Sequence, residues 1–352
     1  MDSANINLFT TTLCKWYGIT VDMDTTKFCR MTLEWDYTNR HCTISMPCYV
    51  EKALQCFTHP APPKPQHSLH PWVAPVYSAS IQYANQDNDS TPLDKQGINR
   101  LQQIIRTLLF YARAIDNTML VALGKITSAQ TKGTEKTMEA TIRLLDYAAS
   151  HPDAAIRFSA SNMILYVHSD ALYLSEPNSK PRVGGIFFLG HKDKPPLIPR
   201  PNGPIHVETR IMRNVMAAAS ETEVGTLFHN DQETVFLRQV LKEMGREQPG
   251  PTRIVTDNST AARFANHQTK LKRSKAMDMR FHWVPDCVDQ GHIEIALEPG
   301  KHNHADYFTK HHPTTHHMRM RPVYLHTCNL IHLLTLLATA LELSIPDPHP
   351  HT

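Results

Sequence analysis

Residues 163–170, Met-Ile-Leu-Tyr-Val-His-Ser-Asp, decide how this chain is read. The run is apolar, has the length and composition of a strand (Ile164 to Ser169), and ends on the carboxylate of Asp170. The Gly-Gly stretch VGGIFFLG follows, predicting a second strand over Val183–Leu189. Working outward, further strands are predicted at Ile205–Glu208, Thr252–Thr256 and His292–Leu297. Helices are predicted at Ala217–Phe228, Gln232–Met244, Ser259–Asn266 and Ala305–His311. The order β-β-β-α-β-α-β-α suits an α/β fold, a mixed sheet flanked by helices.

Acids fall at telling places on this pattern. Asp170 ends the first strand, Glu223 lies in the helix opening AASETEVGTLF, Asp257 ends the strand of IVTDNST, and Asp306 begins the last helix in HNHADYFTK. An Asp at a strand end or helix start is in isolation more often a cap than a ligand. Glu221 stands two positions from Glu223, and on a helix the two side chains point in different directions, so one of them at most joins the set.

Upstream, the chain of 352 residues has room for two domains with their own cores. A hydrophobic fraction of 41% and a charged fraction of 20% exclude a disordered chain, and a formal charge of +3 neither requires nor excludes a polyanionic partner. Seven Cys with no C-x-x-C pair, and an N-terminus MDSANINLFTT that is neither a signal nor a transit peptide, predict an intracellular protein with reduced thiols. Residues 1–58 read as a small α/β piece: a helix near Leu8–Tyr17, the strands of CRMTLEWDY and HCTISMP joined at Thr38-Asn39-Arg40, and the helix YVEKALQCF. Residues 59–92 are Pro-rich and read as an extended connector. Residues 93–150 carry three helical stretches, Asp94–Ala114, Thr118–Gln130 and Thr134–Ser150; 160–312 hold the acids, and 313–352 form a tail.

Two long stretches carry a family resemblance. LEWDYTNRHCTISMPCYVEKALQCF and RTLLFYARAIDNTMLVAL resemble segments that follow the polymerase centre in reverse transcriptases of Ty1/copia retrotransposons, and the likeness extends over most of residues 1–312. It implies a polyprotein fragment: the C-terminal remnant of the reverse transcriptase palm and thumb at 1–58, a helical thumb or connection region at 93–150, and a ribonuclease H-like domain at 160–312. It also implies the upstream polymerase domain and an RNA/DNA hybrid as partners. HSDA, TDNST and ADYFTK match the family's contexts for Asp170, Asp257 and Asp306, and Glu223, followed by Val224, fits its second ligand better than Glu221 does.

The implied chemistry is hydrolysis of the RNA strand with two Mg²⁺ ions, for which Mn²⁺ can substitute. Such ions sit about 3.5–4 Å apart, take oxygen ligands and stabilise the attacking and leaving oxygens. By resemblance Asp170 bridges the ions, Glu223 and Asp257 hold the one nearer the leaving group, and Asp306 holds the other. No Asp-Asp dipeptide occurs in the chain, so polymerisation by it alone is excluded. Cys29-Arg30 and Cys48 stand where the family has an apolar residue with Gly, and Gly, and Leu172 replaces its usual Ser or Trp; these departures fit the alternative of an inactive relic.

For binding, KLKRSKAMDMRFHW offers Lys270, Lys272, Arg273, Lys275 and Arg280 against Asp278, placed to meet a phosphate backbone, and Asn258 is a candidate to orient a phosphate or water. Asn303 is expected to cap the last helix. His302 or His304 is a candidate proton shuttle, whereas the irregular spacing of His302, His304, His311, His312, His316 and His317 and the lack of a Cys partner argue against zinc. An integrase would need its Glu last, and an aspartic protease a D-[TS]-G signature; neither is present. LIHLLTLLATALELSIP is short for a membrane span and predicts a packing helix.

Overall fold

The computed structural model describes residues 3–19, 21–22, 24–72, 90–192, 201–268 and 279–327. The first helix, α1 (Ser3–Cys14), is followed by a short strand β1 (Lys27–Phe28), the hairpin β2 (Met31–Asp36) and β3 (His41–Ser45), and α2 (Tyr49–Cys56). The hairpin and α2 stand where the sequence predicts them. Three longer helices come next: α3 (Lys95–Ala114), α4 (Leu120–Ala129) and α5 (Glu135–Ser150). Asp94 starts α3 by accepting a hydrogen bond from the Gly97 amide at 2.7 Å, and Thr134 with Thr137 forms a capping box at the start of α5.

A strand that the sequence reading does not contain, β4 (Ala154–Ser159), follows directly and pairs with β3, with Ile44 opposite Ile156. A two-residue strand β10 (His326–Thr327) pairs with the other edge of β4. The resulting antiparallel sheet, in the order β1-β2-β3-β4-β10, is therefore assembled from three distant parts of the chain. Its Ile44, Ile156 and Phe158 pack on a core that contains Leu101, Leu108 and Tyr111 of α3, Leu123 of α4 and Leu144 of α5.

The second sheet holds the acids. It contains β5 (Ile164–Glu176), β6 (Lys180–Gly190) and β7 (Pro204–Ile211), then β8 (Thr252–Thr256) and β9 (Ile293–Leu297), in the order β7-β6-β5-β8-β9. β5, β6 and β7 are antiparallel neighbours, whereas β8 and β9 run parallel to β5, which is the mixed sheet the sequence predicts. Its flanking helices are α6 (Ala219–Glu243), α7 (Ser259–Ala265) and α8 (Trp283–Asp289). A 3-10 turn His304–Phe308 stands where an α-helix is predicted, and α9 (Thr314–Tyr324) leads into β10.

Two differences from expectation matter for the site. β5 does not end at Asp170 but continues to Glu176 along β6, while its parallel pairing with β8 reaches only His168. Asp170 therefore lies just past the carboxyl end of the parallel pair, where the sheet opens and ligands of α/β sheets collect. The helices predicted at 217–228 and 232–244 are one, because the intervening His229-Asn230-Asp231 contains no Gly or Pro to break it. Asn230, fully buried, donates to Ser169 Oγ at 2.8 Å and to the Gly184 carbonyl at 3.0 Å and so fixes α6 across β5 and β6.

The second sheet buries two faces differently. Leu165, Val167, Val183 and Phe187 pack with Val224 and Leu227 of α6 and with Val284 of α8. Ile186, together with Ala305, Tyr307 and Phe308 of the 3-10 turn, belongs instead to the core built on α3, α4 and α5. Among the described residues no helix is long and apolar enough to cross a membrane; the apolar stretch beyond residue 328 lies outside them.

Candidate metal centre

Three elements each bring one carboxylate to the open end of β5. Asp170 comes from β5, Glu223 from the second turn of α6, and Asp257 from the residue after β8. One oxygen from each lies within 4.8 Å of the others, and among the described residues this is the grouping with the spacing of metal ligands. Asp170 and Glu223 are buried, at 5% and 7% exposure, and Asp257 is open to solvent.

The electrostatics of the set favour a cation. Burial, followed by the charge of Asp306, pushes the Asp170 carboxyl up to about 7. Burial, followed by the charges of Asp170 and Asp257, pushes Glu223 up to about 9. Asp257 is raised as well, by burial first and then by Asp306. Glu223 Oε2 is buried without a hydrogen-bond partner among the described side chains, and a divalent ion at this point would satisfy it and neutralise its neighbours.

Asp306 stands beside this group rather than within it. Its carboxylate pairs with Lys310 one turn on, yet its charge acts on both Asp170 and Asp257. The turn that carries it is tied to β5 at three points. Asn303 caps the turn, accepting from the Ala305 amide at 3.1 Å, and donates its amide to the Ser169 carbonyl at 2.8 Å. The His304 amide donates to His168 Nδ1 at 3.2 Å, and the Thr309 hydroxyl lies 2.9 Å from Asp170 Oδ2. His168 is fully buried, and burial followed by the charge of His304 lowers it to about 3, so it serves as a neutral acceptor.

Two glycines give the acids room. A Cβ on Gly300 would lie 2.7 Å from Asp257 Oδ2. One on Gly184, directly across from Asp170 in the sheet, would lie 2.5 Å from Thr309 Cγ2 and 2.9 Å from the Ala305 carbonyl.

The remaining residues singled out by sequence are placed as follows. Glu221 folds back on its own helix and accepts from the Ala217 amide at 2.6 Å, a cap for α6. Asn258 caps α7, accepting from the Thr260 and Ala261 amides at 3.0 Å each. Lys270, Lys272, Arg273 and Lys275 lie outside the described residues, and the backbone of Arg280 lies in a 3-10 turn Met279–His282. Of the histidines, His304 is held against His168, His311 stacks on His70 at 3.9 Å, and His312 stacks on Tyr307 and His316. His317 bridges the Tyr307 and Tyr147 hydroxyls at 2.6 and 3.0 Å. Thr309 and Lys310 sit in the ADYFTK stretch but carry no signal of their own in the sequence, and the roles of Gly184 and Gly300 depend on approaches made by distant segments.

No protein-family model matches the chain. Over 173 residues, 49% of its length, it is 23% identical to the retrovirus-related Pol polyprotein from transposon TNT 1-94 of Nicotiana tabacum. Over 191 residues, 54% of its length, it is 22% identical to the retrovirus-related Pol polyprotein from transposon RE1 of Arabidopsis thaliana. Each match spans 12% of the relative. Among solved structures, the N-terminal RNase H domain of rv2228c from Mycobacterium tuberculosis, in fusion with maltose binding protein, is 11% identical, with 46% of this chain and 96% of that one covered at a TM-score of 0.31. LC11-RNase H1 in complex with RNA/DNA hybrid is 10% identical, with 41% and 93% covered at 0.30. Over about half of its length the chain is thus similar to retrovirus-related Pol polyproteins of plant transposons, of which it spans about an eighth.

Proposed function

We propose that this chain is the ribonuclease H portion of a Ty1/copia-type retrotransposon polyprotein, a metal-dependent endonuclease that hydrolyses the RNA strand of RNA/DNA hybrids. The observation that carries the reading is the convergence of Asp170, Glu223 and Asp257 from three elements, with their carboxyls raised by burial and by neighbouring acids, Asp306 among them. Mg²⁺ ions, or Mn²⁺ in their place, would supply the activated nucleophile and the charge that stabilises the leaving oxygen. Asp170, at the centre of the acids, is suited to bridge two ions, Glu223 and Asp257 to hold one, and Asp306 to hold the other. Lys310 pairs with Asp306 one turn on.

In this reading residues 160–312 are the nuclease, residues 1–58 and 93–150 are the end of the reverse transcriptase with its connection, and the polymerase domain lies upstream. The hybrid is held by its backbone and 2′-OH groups, with Lys270, Lys272, Arg273, Lys275 and Arg280 as backbone contacts. A second reading, an inert relic, draws on the left-handed backbone at Arg30 (φ 69°) and Cys48 (φ 60°), where side chains replace glycines of the family. Both positions lie in the first 58 residues. Incubation of the purified chain with Mg²⁺ and a labelled RNA/DNA hybrid is expected to degrade the RNA strand, and Asp170→Asn to abolish cleavage while hybrid binding persists. Cleavage that survives Asp170→Asn would overturn the assignment.

A further inference from the structure

Thr309 is 1% exposed and is the described side chain that hydrogen-bonds the Asp170 carboxylate, 2.9 Å from Oδ2. Its hydroxyl is also 2.9 Å from the carbonyl of Asp306, so one group touches two of the acid-bearing residues. Of the two acceptors the carboxylate is the stronger, because a charged partner roughly doubles a hydrogen bond. The side chain has little freedom to do otherwise. A threonine is stiff about χ1, and its methyl packs over Gly184, where any Cβ would lie 2.5 Å from it. Gly184 is in turn the residue paired with Asp170 across the sheet. Asn303 fastens the other end of the same turn to the Ser169 carbonyl, but it touches backbone alone.

We infer that Thr309 is a positioning residue of the metal centre: by holding Oδ2 of Asp170 it fixes the carboxylate plane, so that Oδ1 faces Glu223 and Asp257 and the turn bearing Asp306 stays in reach. This rests on the metal-dependent reading above. Groups that orient a metal's ligands are worth about ten- to a hundredfold in affinity or activity.

The test uses the full chain and compares wild type, T309V, which keeps the shape and removes the hydroxyl, and T309S, which keeps the hydroxyl. Calorimetric titration with Mg²⁺ in the absence of nucleic acid is expected to show T309V binding about ten- to a hundredfold more weakly, with T309S close to wild type. On the hybrid substrate T309V is expected to lose kcat by a similar factor at unchanged KM. Wild-type Mg²⁺ affinity in a T309V protein that melts cooperatively would overturn the inference. Equal losses in T309S and T309V would also overturn it, since a retained hydroxyl would then preserve binding no better than its removal. Should T309V not fold, T309A is set against T309S in the same titration: weaker binding by T309A supports the role, and equal binding refutes it. A wild-type chain that binds no Mg²⁺, or an Asp170→Asn chain that still cleaves, refutes the nuclease reading itself and the role of Thr309 with it.

Discussion

Cys48 sits at the start of α2 with φ 60° and ψ 7°, exposed, and without a side-chain hydrogen bond to cap the helix. A residue with a Cβ pays roughly 1–2 kcal/mol for this left-handed conformation, part of which glycine gives back through its freer unfolded chain. Cys48→Gly is therefore expected to stabilise the protein by about 1 kcal/mol, read as a higher urea midpoint at unchanged slope. Asp231 offers a second test. It is fully buried on α6, faces the Cys287 thiol, and is paired with no cation among the described residues. Burial raises its carboxyl to about 7, above the ordinary value of 3.8, so the folded state holds the proton more tightly than the unfolded one. The stability it contributes is complete below about pH 4 and is lost as pH rises toward 7. In metal-free buffer, urea midpoints at pH 5 and pH 8 are expected to differ less in Asp231→Asn than in wild type. Residue identity alone could place Asp170, Glu223, Asp257 and Asp306 in their contexts, but it could not show that the Ala217 amide donates to Glu221.

Elements with their own hydrogen-bonding pattern are legible: the hairpin at 31–45, α3, α4 and α5, β8 and β9 all stand within a few residues of where periodicity puts them. What could not be read locally depends on partners. AAIRFS becomes β4 because β3 and β10 flank it, β5 runs past Asp170 because β6 continues alongside, and the ADYFTK turn is 3-10 because Asn303, His304 and Thr309 bind it to β5. The loop before that turn has a sharper dependence. Gly300 leaves no space for a methyl beside Asp257 Oδ2. Gly300→Ala is expected to displace that carboxylate and weaken Mg²⁺ binding by about tenfold with little change in Tm, measured by titration and thermal melting on the same sample.

Across the whole molecule, the turn bearing Asp306 is packed on the helices of the upstream half. Tyr307 and Phe308 share a core with α3, α4 and α5, and α9 adds a buried network in which Arg321 donates to Asp116 at 3.1 Å and to the Tyr147 hydroxyl at 3.0 Å. Asp116 and Arg321 are 0% and 6% exposed, so removing one leaves the other charged and uncompensated. Asp116→Ala is expected to cost about 3–5 kcal/mol in urea unfolding. The division of the sequence at residue 312 followed the acids, and the composition of 313–327 gave no sign that this segment closes the upstream core.

The pairing of β10 with β4 also sets an order of events during synthesis. Residues 27–45 and the helices at 95–150 leave the ribosome early, but the sheet beneath them lacks its last strand, and Asp116 its guanidinium, until residues 321–327 have been translated. Contacts so far apart in sequence are slow to form. The upstream half must therefore wait, partly unsealed, for residues 321–327, and a nascent chain arrested short of residue 321 would be expected to expose that core to proteases and chaperones.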